Sequence, residues 1–232
     1  MKRDTASLLS SPGAPQKIEP RLIAITDRSL ATAAETLARF ERLARAARPC
    51  SVLFQLRDHE LSGRERLEFG RALRALCTAA EQWFQVNDRC DLALLLGADG
   101  VHLGERSVSA ADARRLLGPG AFVSRACHDA ERELEAGVDA WVLSPIFAER
   151  KGREPLGVQG VRRLVERCRA VGEGHGAGGS GHTPATVFGL GAISAENAGD
   201  CRDAGAEGVA AMGAVLGEAG AEPMLAALGI LR

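Results

Sequence analysis

The chain lacks an excess of charge of either sign: 29 Lys and Arg stand against 30 Asp and Glu in 232 residues, a net charge of −1. Charges interspersed in this way leave no basic stripe for nucleic acid and no cationic face for an anionic membrane, so neither partner is expected. No apolar run approaches the length of a membrane span. Lys2 and Arg3 are followed by Ser-, Pro- and Gly-rich sequence, not by an apolar stretch, so no signal peptide is expected. Cys50, Cys77, Cys90, Cys127, Cys168 and Cys201 include no CxxC pair, and most lie inside apolar runs. That usage reads as buried thiols in a reducing cytosol, which makes the protein cytoplasmic.

What is present is apolar residues at 46% of the chain, enough for a sizeable core in one large α/β domain. The most informative run is Trp83 to Glu105. It reads as a strand, the polar tip Asn87-Asp88-Arg89, a short helix from Asp91 to Leu96, a break at Gly97, and a second strand from Val101 to Leu103. Strands this close along the chain pair in parallel around one helix, which places polar tips at neighbouring strand ends, where α/β folds carry their chemistry. The plainer reading is that Asn87 and Asp88 cap the helix.

The same alternation recurs along the chain. Strands are expected to start near Arg21, Ser51, Trp83, Gly100, Ala121, Ala140, Thr186 and Glu207. Helices are expected over 33–47, from the capping box Ser62-Gly63-Arg64-Glu65 to Ala80, after the cap Ser109, from the strand-five tip to Gly137, over 158–171, and after Ser194 and Ala214. Eight such units indicate a single-domain TIM (β/α)8 barrel over residues 20–232, with an open doubly wound sheet as the alternative. Residues 1–19 read as a mobile extension. Residues 172–182 read as a Gly-rich loop; its formal GxGxxG lacks a preceding strand, and His175 and His182 within it are weak metal candidates.

Eight runs carry a family resemblance: LIAITDR (22–28), FQLRDH (54–59), VNDRCDLALLLGADGVHLGE (86–105), SRACHDAEREL (124–134), LSPIF (143–147), PLGVQGVRRL (155–164), GLGAI (189–193) and AGAEGVAAMGAVL (204–216). In family order and over nearly the whole chain, they resemble the thiamine phosphate synthase and thiazole tautomerase superfamily. The resemblance implies a barrel that joins hydroxymethylpyrimidine diphosphate to thiazole phosphate and releases pyrophosphate, with Mg2+ on the diphosphate. It implies Gln55, Arg57, Asn87 and Lys151 as substrate contacts and Asp88 as a metal ligand, and it sets Gly191-Ala192 and Gly213-Ala214 as phosphate-binding turns. An arginine suits phosphate because its planar fork grips two oxygens at once; an oxygen-seeking ion suits Asp88. An oligomer is compatible with the sequence.

The chain also departs from the pattern. His59 stands where the family has lysine, and Ala126 where it has serine. Ser107 stands where it has a second acidic metal ligand, with Glu105 the nearest carboxylate. A charged loop, Glu149 to Glu154, replaces a hydroxyl-rich phosphate clip, so Arg150 or Arg153 is a candidate substitute. Three readings follow: a divergent synthase; a tautomerase-like isomerase of thiazole carboxylate phosphate using His128 as proton shuttle; and a non-catalytic barrel binding a thiamine precursor or a protein partner.

Overall fold

The computed structural model describes residues 20–174, 184–217 and 220–232. The proposed N-terminal extension, most of the Gly-rich loop, and His175 and His182 lie outside the described residues.

Eight parallel strands close in chain order: β1 Leu22–Ile25, β2 Val52–Leu56, β3 Trp83–Asn87, β4 Gly100–Leu103, β5 Phe122–Cys127, β6 Ala140–Leu143, β7 Thr186–Leu190 and β8 Gly208–Ala211. Closure is made by β1 against β8, Leu22 opposite Val209 and Ala24 opposite Ala211, which rules out the open sheet. Alternation along each strand separates two apolar sets. Outward-facing Leu22, Phe54, Phe84, Val101, Trp141 and Val209 pack under the helices. Inward-facing Ile23, Ile25, Leu53, Phe122, Val142, Phe188 and Ala210 fill the barrel. Both faces are buried, so the strands read as short continuous apolar runs. Each large side chain so enclosed contributes about 1.5–3 kcal/mol relative to exposure.

The helices are α1 Ala33–Ala46, α2 Gly63–Ala79, α3 Cys90–Leu95, α4 Ala110–Leu117, α5 Gly157–Gly174, α6 Ala198–Asp203, α7 Gly213–Leu216 and α8 Glu222–Ala227. The expected capping box opens α2: Ser62 Oγ accepts from Glu65 N at 3.3 Å, and Ser62 N donates to Glu65 Oε2 at 2.9 Å. Ser109 caps α4 by accepting from Asp112 N at 3.1 Å. The chain after β8 forms two short helices in place of one.

The helix expected between β5 and β6 is not there; His128 to Asp139 is bends and turns. Its acids and carbonyls are claimed by neighbouring arginines instead. Glu135 ion-pairs with the buried Arg125 at 3.0 Å and accepts from Ala110 N, the start of α4, at 2.6 Å. Arg114 of α4 donates to Gly137 O at 3.0 Å and to Asp139 Oδ2 at 2.6 Å. Arg132 lies over the Trp141 ring at 5.6 Å. These tertiary partners outweigh the helix propensity of ERELEA, which is worth only tenths of a kcal/mol per residue (about 0.7 at most for ordinary residues). No helix among the described residues is long and apolar enough to cross a membrane.

Candidate active site

A cavity of about 580 Å³ opens at the C-terminal ends of the strands. Its floor is built by the inward alternation of β2 to β5. Gln55, Gln85, Asn87, His102 and Ser124 all point into the barrel where the opposite wall carries apolar residues. They are hydrogen-bonded in series. Gln55 Nε2 donates to Asn87 Oδ1 at 3.2 Å, and Gln85 Nε2 donates to Gln55 Oε1 at 2.8 Å. The Ser124 hydroxyl donates to Gln85 Oε1 at 2.9 Å, and His102 Nδ1 sits 2.9 Å from Ser124 Oγ. Burial first, then the charges of Arg57, His128 and Arg125, push the His102 pKa down to about 4, against a smaller upward pull from Asp88. His102 is therefore a neutral imidazole at pH 7.

Asn87 and Asp88 do not cap α3. Its N-cap is Arg89, with no side-chain capping bond. Asn87 is held by Gln55 instead. Asp88 adopts a left-handed backbone, φ 64°, which an aspartate tolerates better than most residues, and its N–H donates to His102 O at 2.8 Å. Its Oδ1 accepts from the Ser107 hydroxyl, which in turn accepts from Gly104 N at 2.7 Å. Ser107 thus holds the carboxylate in place.

The rim is cationic: Arg57, Arg106, Arg150, Lys151 and Arg153 line the cavity. Arg57, at the end of β2, lies 4.0 Å from Asp27 and 3.9 Å from the Met212 sulfur. Lys151 and Gly152, with φ 53° and 71°, form the turn of a two-residue hairpin closed by Arg150 N to Arg153 O at 3.2 Å and Arg153 N to Arg150 O at 3.1 Å. Arg153 ion-pairs with Glu105 at 3.1 Å, so Glu105 is occupied by the loop. Burial would raise the Glu105 carboxyl, but Arg153, His128 and Arg132 bring it below its ordinary value. His59 also lines the cavity; burial, then Arg57 and Arg66, lowers its pKa, so it does not replace a permanent positive charge.

His128 lies with Nδ1 2.7 Å from Ser144 O and 3.1 Å from Ser144 Oγ. A carbonyl only accepts, so Nδ1 carries the proton and Nε2 the lone pair. Ala126 and Gly191 complete the lining. Only glycine fits at position 191: φ is 117°, and a Cβ would sit 3.0 Å from both Ile146 N and Pro145 Cα. Ala192 and Ala214 are not among the lining residues, and Gly213 faces a separate cavity of about 180 Å³ with Leu30, Arg39 and Leu216. Of the expected residues, the structure therefore gathers Gln55, Arg57, His59, Asn87, Asp88, Glu105, Ser107, Ala126, His128, Lys151 and Gly191 in one space. Sequence reasoning passed over Gln85, Ser124 and Ser144. A polar residue at an inward position of a buried strand was the available signal for the first two.

Magnesium can be tested against the donors present. Among the described residues, no three His, Cys, Asp or Glu groups come together as a metal cage. Asp88 keeps Oδ2 without a hydrogen-bond partner among the described residues, and Ser107 and Glu105 are engaged. One free carboxylate oxygen fits an ion that keeps waters and is held mainly by substrate phosphates, and does not fit a preformed protein site.

A barrel with a polar floor and a cationic rim at its C-terminal mouth offers a small-molecule site complementary to negative charge. A family model described as thiamine monophosphate synthase matches residues 22–215. The chain belongs to the thiamine monophosphate synthase family. It is 39% identical over 175 residues to thiamine-phosphate synthase of Moorella thermoacetica, covering 73% of this chain and 76% of that one. It is 34% identical over 208 residues to the putative thiamine-phosphate synthase of Geobacter sulfurreducens, covering 87% and 89%. Against the thiamine-phosphate synthase of Synechococcus it is 36% identical over 71% of its own length but spans only 44% of the relative. Among solved structures, a thiamine phosphate pyrophosphorylase from Pyrococcus furiosus superposes with a TM-score of 0.73 at 25% identity, covering 91% of this chain and 96% of that one.

Proposed function

We propose that the chain joins hydroxymethylpyrimidine diphosphate to thiazole phosphate, giving thiamine phosphate and pyrophosphate. The observation that carries this reading is the pairing of an uncharged hydrogen-bonding floor with the cationic rim of Arg57, Arg106, Arg150, Lys151 and Arg153 in one cavity. In the reaction the C–O bond to the diphosphate breaks and the electron pair leaves with pyrophosphate. The thiazole nitrogen then donates its lone pair to the same methylene carbon, and no proton need be moved. Such a step asks for charge neutralisation of the leaving group and for alignment, not for an acid–base pair. Arg57 and Lys151, from opposite walls, grip the diphosphate; Arg150 and Arg153 close over it from the hairpin. The floor amides hold the heterocycle in line. Gly191-Ala192 and Gly213-Ala214 offer backbone N–H groups to the second phosphate; Gly213 needs a small shift of α7 to share the space. A bound Mg2+ would be held by Asp88 and supply further neutralisation of the diphosphate. The six free thiols suit a reducing compartment, and we place the activity in the cytoplasm.

The test mixes both phosphorylated precursors with protein and magnesium and follows thiamine phosphate and pyrophosphate. Formation of both, abolished by omitting either precursor, is expected; no product at millimolar substrates overturns the reading. One observation favours a second reading. His128, fixed with Nε2 as the basic nitrogen, is poised as a proton shuttle on thiazole carboxylate phosphate. Isomerisation of that compound alone, lost in His128→Gln, would establish it.

A further inference from the structure

Gln85 and Ser124 are fully enclosed, neither lines the cavity, and yet they connect two residues that do. The connection has a direction. A serine hydroxyl has one proton. Here it is given to Gln85 Oε1, so Ser124 Oγ is left to accept from His102 Nδ1–H, and the lone pair of His102 falls on Nε2. From Gln85 the sense continues: Nε2 donates to Gln55 Oε1, and Gln55 Nε2 donates to Asn87 Oδ1. The Asn87 oxygen is thereby used, and its NH2 is the group left for a ligand. No single link reverses alone, because that would set donor against donor, or acceptor against acceptor, in a space closed to water.

We propose that Gln85 and Ser124 are positioning residues which, through this one-way relay, fix the tautomer of His102 and the amide orientation of Asn87. The cavity floor then presents an acceptor on β4 beside a donor on β3. Asn87 and His102 are register partners on adjacent strands, so one planar heterocycle with a donor next to a ring acceptor spans both. The relay also explains how five polar side chains sit inside the barrel: each satisfies the next, and the two ends face the cavity. Only the kinetic arm of the test rests on the function proposed above.

The experiment reads the His102 ring nitrogens by 15N NMR in the full-length protein, together with KM and kcat. The expected result is Nδ1–H with an unprotonated Nε2. Ser124→Ala removes the acceptor for Nδ1 and is expected to shift the ring toward the Nε2–H tautomer. It should raise KM for one substrate roughly tenfold, the worth of one neutral hydrogen bond, with kcat little changed. Ser124→Thr, which keeps the hydroxyl, should restore both. Gln85→Glu, as a carboxylate, can only accept, so at a pH where it is ionised it should turn the Gln55 and Asn87 amides and raise KM while leaving the His102 signal in place. An Nε2–H ring in the unaltered protein overturns the proposal, as does a Ser124→Ala protein with unchanged tautomer and KM. If the protein makes no thiamine phosphate at all, the function reading fails, and the NMR arm still decides the relay.

Discussion

The two halves of the barrel interior differ in kind. Along β2 to β5 the inward positions nearer the cavity carry Gln55, Gln85, Asn87, His102 and Ser124, bonded in series, with Leu53 and Phe122 also facing inward on these strands. Along β1 and β6 to β8 they carry Ile23, Ile25, Ala140, Val142, Phe188 and Ala210, in van der Waals contact. The apolar half holds the barrel closed through area removed from water, which is indifferent to direction. The polar half contributes little net stability, since its bonds replace bonds to water, but it orients the amides and imidazole that it brings to the cavity. The difference teaches that folding and recognition are assigned to opposite walls of the same lumen.

That division is broken most forcefully from the apolar side. Phe188 is 1% exposed, and Phe188→Ala is expected to lower the unfolding free energy by about 3–5 kcal/mol, measured by urea denaturation. Residual folded protein should keep its KM values; an equal loss of recognition would erase the distinction. On the polar side, Arg57→Ala is expected to lower kcat/KM by about 10²–10³-fold while moving stability little. Arg57→Lys should recover only part, because a point charge does not reproduce the planar fork.

The pH dependence sharpens the same contrast. The His102 pKa is depressed from 6.5 to about 4 in the folded state. The unfolded chain therefore binds more protons in that window, and stability falls as pH drops from about 6.5 towards 4, then levels off. The full effect is on the order of 3 kcal/mol. His102→Gln should flatten this part of the profile when the two proteins are compared by chemical denaturation at each pH; parallel profiles would sink the assignment. The smallest effect belongs to the turn after β7. Ala192 sits at φ 52°, a conformation that glycine takes without strain. Ala192→Gly is expected to change stability by no more than about 1 kcal/mol, in the stabilising direction, in thermal melts.

The strands were legible because each is a short apolar run ending in a polar tip, and the capping boxes because their hydrogen bonds are local. The segment after Cys127 was not. ERELEA has helical composition, but Arg125 pairs with Glu135 and Arg163 lies 3.7 Å from Glu131, while Arg114 takes Gly137 O and Asp139 just beyond it. At the site, Gln55, Arg57, Asn87 and Asp88 stood out as polar residues at strand ends, and Lys151 through the family resemblance of its loop. Gln85 and Ser124 did not, since one inward polar residue in an apolar strand means little until its neighbours are known. Glu105 and Ser107 looked like metal ligands by position; the fold gives one to Arg153 and the other to Asp88.

By itself, the sequence indicated eight strand–helix units, with a barrel preferred to an open sheet, because alternation, capping and turn residues act over a few positions, and eight matching runs pointed to the family. Tertiary structure alone decided which acids remain free, which helix gives way to a loop, and what the Nδ1 atoms of His102 and His128 bond to. Those outcomes depend on partners supplied by neighbouring strands and loops, and no local pattern encodes the proton that Ser124 gives to Gln85.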